Sequence, residues 1–322
     1  MRSFAGVVPP LTCGVLAFVL VAACGERPVR SVAREGGEAA ASRTSASAAA
    51  SALGSSAASQ TAPPASTPPG ALPSPDLAAG AKLALPIPPR EHAPEAPAAG
   101  WCGETAIQEG LLHLGVWAPQ RIINKAGRPA HPDLYSPDIP VALSELGVKY
   151  SFYSGSRGDG MFEQWIRRGL DEGDPVLAGV KILPTAHPEW GLDHFVLVVG
   201  YGDKGLLVNT TWGHRLWVAD TTTPGLSFKN GFYAIRLGGV AVAGAGRAAR
   251  VTLVEEGKTN VKLRITCPGS RAGAPVRIEL RRARVEDKPL WSEDLTGAAE
   301  LVAKELTVDA GEIARFQCVA LP

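Results

Sequence analysis

The chain has 322 residues, a formal net charge of +1, 45% hydrophobic and 20% charged residues, and only five cysteines. So balanced a charge, with no cluster of lysines and arginines, lacks the electrostatic footprint of nucleic-acid binding, and no nucleic-acid partner is expected. No strand–glycine–helix frame for a dinucleotide or phosphate loop occurs, and His187, Glu189 and His194 lie close together without an HExxH spacing, so neither a cofactor nor a metal is expected.

At the N-terminus, Arg2 precedes an uncharged run from Val7 to Ala23 that ends in LVAAC. The run is too short and interrupted for a bilayer span and reads as an export signal over residues 1–23. The small residues before Cys24 resemble the lipobox of bacterial lipoproteins, which implies cleavage before Cys24 and a lipid on its sulfur that anchors the chain to a membrane of the bacterial cell envelope. Gly25 stands where aspartate would signal inner-membrane retention, which favours the outer membrane. Residues 24–97 are dominated by Ala, Ser, Pro, Thr and Gly and cannot bury enough apolar surface to offset the entropy of ordering, so a disordered, semi-extended tether is expected there.

The folded part is expected to start at residue 98. Ala106, Ile107, Gly110, Leu111 and Leu114 recur at three- and four-residue steps and predict a helix that opens at Cys102 and ends at Gly115. Two short helices follow, over Pro119–Lys125 and Ser136–Leu146, the latter with Pro137 at its first position. A short strand spans Lys149–Tyr153, and an amphipathic helix Gly160–Leu170. From Asp174 the period changes to that of a sheet, in PVLAGVKI, HFVLVVGY, GLLVNTT, RLWVADT and GFYAIRL. A helical half followed by an antiparallel sheet predicts an α+β domain over 98–240. GVAVAGAGRAA reads as a linker, and alternating segments across 248–322 give five strands of a small, sandwich-like all-β domain.

Each cysteine has its own expected fate. Cys13 leaves with the signal and Cys24 carries the lipid, while Cys267 and Cys318 both fall in the strand-rich C-terminal part and are expected to pair in an exported chain. Cys102 is left as a free thiol in the first turn of a helix, where unpaired amides and the helix dipole favour a thiolate.

GWCGETAIQEGLLHLG and DHFVLVVGYGDKGLLVNTTWG together resemble the papain-like cysteine peptidases of the bacteriocin-leader-processing type and their exported relatives, over about residues 97–240. The resemblance implies that Cys102 is the nucleophile, that His194 exchanges its proton, and that Asn209 orients the imidazole. A hairpin centred near Tyr201 and Gly202 would set His194 and Asn209 side by side. The family's oxyanion glutamine is missing: Ala96 stands six residues before Cys102, and Arg90 and His92 are the polar candidates upstream, whereas Gln108 lies beyond the cysteine on the wrong side of the helix.

Two readings follow. The first is an envelope-anchored cysteine peptidase or amide-bond acyl transferase acting on a peptide or protein substrate, with a C-terminal β-domain that positions substrate or docks to another envelope protein. The second is a catalytically weak or inactive binding module, which the loss of the glutamine favours, since one oxyanion donor is worth about a hundred- to a thousandfold in rate.

Overall fold

The computed structural model describes residues 80–98, 100–156, 160–182, 192–218, 228, 231–268, 274–282, 288–296 and 302–322. The expected signal segment, Cys24 and the tether as far as residue 79 lie outside the described residues, as do His187 and Glu189.

The elements run in chain order as β1 (Ala81–Ala84), α1 (Cys102–His113), β2 (Val116–Trp117), α2 (Gln120–Gly127), α3 (Asp138–Glu145), β3 (Val148–Phe152), α4 (Phe162–Asp171), β4 (Val176–Val180), β5 (His194–Gly202), β6 (Gly205–Asn209), β7 (Arg215–Val218) and β8 (Ala234–Val240). They continue as β9 (Arg247–Ala248), β10 (Arg250–Glu256), β11 (Asn260–Cys267), β12 (Pro275–Arg281), β13 (Trp291–Thr296), β14 (Val302–Asp309) and β15 (Ala314–Ala320). Among the described residues no helix is long and apolar enough to cross a membrane.

The expected papain-like α+β fold, with its appended sandwich-like domain, is overturned. Strands make up 43% of the structure and helices 19%, in three antiparallel sheets with four helices. The helices are short, from 8 to 12 residues. Meanwhile, strands form where none was expected: β1, in the segment read as tether, joins β5; β9, in the segment read as linker, joins β15; and β2 and β13, outside the expected strands, join β15 and β12.

The largest sheet has seven strands in the order β3-β8-β4-β5-β6-β7, with β1 attached to β5. Its central strands β4 and β5 are buried along almost their whole length, which is why VLAGV and HFVLVV are continuous apolar runs rather than alternating ones. The chain is already ordered from β1 onward. Leu85 and Ile87 are buried in the main core, so the expected tether does not extend to residue 97. The prolines around KLALPI hide this short apolar segment from a reading by composition.

Helix α1 lies against this sheet so closely that a Cβ on Gly110 would fall 2.3 Å from Leu237 Cδ1. Every residue of α1 after Cys102 is buried, including Glu104, Gln108 and Glu109, because the helix is covered on more than its apolar stripe. Leu112 and Trp117 belong to the second core, with Val251, Leu263, Ile278 and Phe316.

That second core is built from β10-β11-β14 and from β13-β12-β15-β2. The seam expected after residue 240 is therefore bridged: β15 pairs with β2, and Arg90 reaches Glu256 on β10 through a 2.6 Å ion pair. Cys267 on β11 and Cys318 on β15 are joined by a disulfide, as the sequence predicts, with Cα atoms 5.8 Å apart. Cys102 is the free cysteine among the described residues.

Candidate active site around Cys102

Three neighbouring residues present Cys102. Gly100 adopts φ +84°, a left-handed conformation suited to glycine, and turns the chain into α1. Trp101 at the helix start is anchored by its indole N–H, which donates to Pro132 O at 2.9 Å. Gly103 lets α3 approach, since a Cβ there would sit 2.8 Å from Ile139 Cδ1. The cysteine thus opens the helix, half-buried, with its sulfur facing the backbone amides of Phe195 and Gly103.

The amide of Phe195 brings His194 into the same place. His194 is the first residue of β5, opposite Val180 on β4, and its ring is buried. Asp193 before it is fixed by Ile182 N, which donates to Oδ1 at 2.8 Å, and by Lys181 Nζ, 2.9 Å from Oδ2. The imidazole stacks on Trp212, with centroids 4.6 Å apart and planes inclined by 13°. Its Nε2 lies 3.3 Å from Thr211 Oγ1, while Nδ1 has no hydrogen-bond partner among the described residues.

Asn209 is not the residue beside His194. The β5–β6 turn is Asp203–Lys204 rather than Tyr201–Gly202, and Val199 bulges out of register, so Asn209 faces Leu197. The ladder ends there, and the chain beyond β6 carries Trp212 onto the His194 ring. Asn209 is instead tied into the floor of the site. Its Nδ2 donates to Ile87 O at 2.8 Å, and its Oδ1 accepts from Arg215 Nε at 2.9 Å. Arg215 Nη2 also donates to Ile87 O, and the buried carboxyl of Glu109 lies against both Asn209 and Arg215.

The two upstream candidates separate cleanly. Arg90 is a strut: its backbone N–H donates to Glu109 Oε1 at 2.7 Å, its Nε to Gln108 Oε1 at 2.6 Å, and its guanidinium lies 5.7 Å over the Trp117 ring. Gln108 is also occupied, donating from Nε2 to Ala118 O at 2.8 Å, so neither side chain is available to a substrate. His92 does reach the site. Residues 90–91 run along the Trp212–Gly213 turn, through a Glu91–Trp212 bridge and a bond from Gly213 N to Arg90 O. This sets the His92 ring against Gly100, where a Cβ would fall 2.2 Å from Cε1, and places its Nε2 3.1 Å from Thr211 Oγ1.

The electrostatics reverse one expectation. Desolvation outweighs the helix amides and pushes the Cys102 thiol up to about 12, with Glu104 adding to the rise. Burial holds the His194 imidazolium down to about 4, with His92 adding to the depression. A neutral thiol and a neutral imidazole are therefore the resting forms at neutral pH, not a thiolate and an imidazolium. Thr211 had no role in the sequence reading; counting pairs outward from the Gly202–Gly205 turn is the signal that would have brought its neighbourhood to His194.

Among the described residues no group of His, Cys, Asp and Glu is placed to hold a metal ion. No protein-family model matches the chain, and no curated protein matches it in sequence.

Proposed function

We propose that this protein is a lipid-anchored hydrolase of amide bonds in the bacterial envelope, acting on a peptide or protein through Cys102 as nucleophile and His194 as proton acceptor. The observation that carries this reading is the meeting of the Cys102 sulfur with the Phe195 amide, one residue from an imidazole whose Nδ1 has no hydrogen-bond partner among the described residues. In the step proposed, the Cys102 proton passes to His194 as the sulfur bonds to the substrate carbonyl carbon. The C–N bond then breaks, with the amine taking that proton, and water, deprotonated by His194, releases the acid and restores the thiol. Because the resting groups are neutral, proton transfer accompanies attack instead of preceding it.

The test is labelling of Cys102 by a peptidyl vinyl sulfone at pH 7.5, read by mass spectrometry. Fast labelling that falls about a hundredfold in His194→Ala supports the reading, the scale of a general base. Equal, slow labelling in both proteins sinks it. The alternative of a catalytically weak or inactive module is favoured by the high thiol pKa, together with the missing glutamine, and that second outcome would support it.

A further inference from the structure

Thr211 is buried, and its hydroxyl sits between two histidine nitrogens, 3.1 Å from His92 Nε2 and 3.3 Å from His194 Nε2. Those are its hydrogen-bond partners among the described residues. A threonine hydroxyl has one proton to give and lone pairs to accept with, so the two rings are not independent. If His194 is to take a proton on Nδ1, its own proton must sit on Nε2 and be donated to Thr211. The Thr211 proton is then free to be donated to His92 Nε2, which leaves the His92 proton on Nδ1, on the side of the ring nearest Gly100. The reverse direction would protonate His194 at Nδ1 and leave it unable to receive the cysteine proton.

We propose that Thr211 and His92 are the positioning residues of this site, a directional relay in which His194 Nε2–H donates to Thr211 and Thr211 donates to His92, in the place where the resemblance puts Asn209. The inference rests on the proposed reaction of Cys102 and His194. Three further observations support it. Asn209 has both ends of its carboxamide engaged by Ile87 and Arg215. The Trp212 stack fixes the plane of the His194 ring, so that Nε2 stays on Thr211. Burial lowers the pKa of both histidines, keeping each ring neutral and therefore in a definable tautomer at neutral pH.

The experiment uses nitrogen-15 NMR of the histidine side chains in the whole chain at pH 7.5, alongside Cys102 labelling. The expected result is His194 protonated on Nε2 and His92 on Nδ1. Thr211→Val should mix the tautomers and slow labelling about 10- to 100-fold, whereas Thr211→Ser should restore both. Asn209→Ala should leave the tautomers of both rings unchanged. A His194 proton on Nδ1 in the wild type, or fixed tautomers that survive Thr211→Val, overturns the relay. Expected tautomers in a wild-type chain whose Cys102 labels slowly would uphold the relay and sink the hydrolase reading, so the two failures are distinguishable.

Discussion

Glu104 shows how much of this site is set by burial. Its Oε1 accepts from Asn124 Nδ2 at 2.7 Å and from Leu134 N at 3.0 Å, while Oε2 is buried with no partner among the described residues. Desolvation pushes the carboxyl from an ordinary 4.5 up to about 7. A raised carboxyl contributes stability that is complete below its unfolded pKa and is lost as pH climbs through the folded one, here between about 4.5 and 7. His113 and His194 act in the opposite direction: both are held down to about 4 by burial, so their contribution is present above 6.5 and is lost as pH falls. Glu104→Gln should therefore gain stability relative to wild type by about 3 kcal/mol on going from pH 4.5 to pH 8, read by urea unfolding at both values. A difference independent of pH would mean that Glu104 is ionised and solvated. Cys102 and His194 were legible in the sequence because each opens a recognisable element. Thr211 was not, because its role comes from a hydroxyl between two rings that meet only after folding.

At the level of elements, the decisive positions are those where backbones touch. Gly115 ends α1 at φ +82°, and a Cβ there would lie 2.7 Å from both Ala249 O and Phe316 O. It also accepts from Phe316 N at 2.8 Å, so helix end and last strand are bonded at this residue. Gly115→Ala combines left-handed backbone strain of about 1–2 kcal/mol with overpacking of about 1–3 kcal/mol. We expect a loss of about 3 kcal/mol in urea unfolding, and a loss under about 1 kcal/mol would show that the contact relaxes freely. The α1 stripe was readable because local periodicity decides which face is apolar. The β5–β6 register was not: one bulge at Val199 and a turn displaced to Asp203–Lys204 moved the neighbour of His194 from Asn209 to Trp212. Strands as short as β2 and β9, two residues each, have no period to read, and their partner lies far along the chain.

Over the whole molecule, the disulfide pairing could be anticipated because only two cysteines remained in one strand-rich region. The balance of strand over helix could not, since it depends on long-range pairings that annex segments resembling tether or linker. Those pairings make the described residues one compact unit. A chain ending at residue 246 would lose every partner that Leu112 and Trp117 have from β10 to β15 in the second core. Such a chain should fail to unfold cooperatively and should aggregate, as followed by calorimetry and light scattering; a cooperative transition near that of the full protein would prove the first half autonomous. The pairing of β15 with β2 has a further consequence for biogenesis. The chain is made from its N-terminus, so the Cys102 helix leaves the ribosome long before Ala314–Ala320, the strand that closes against its end. The helix bearing the thiol therefore cannot settle into its final surroundings until residues 314–320 have been made and have paired with β2.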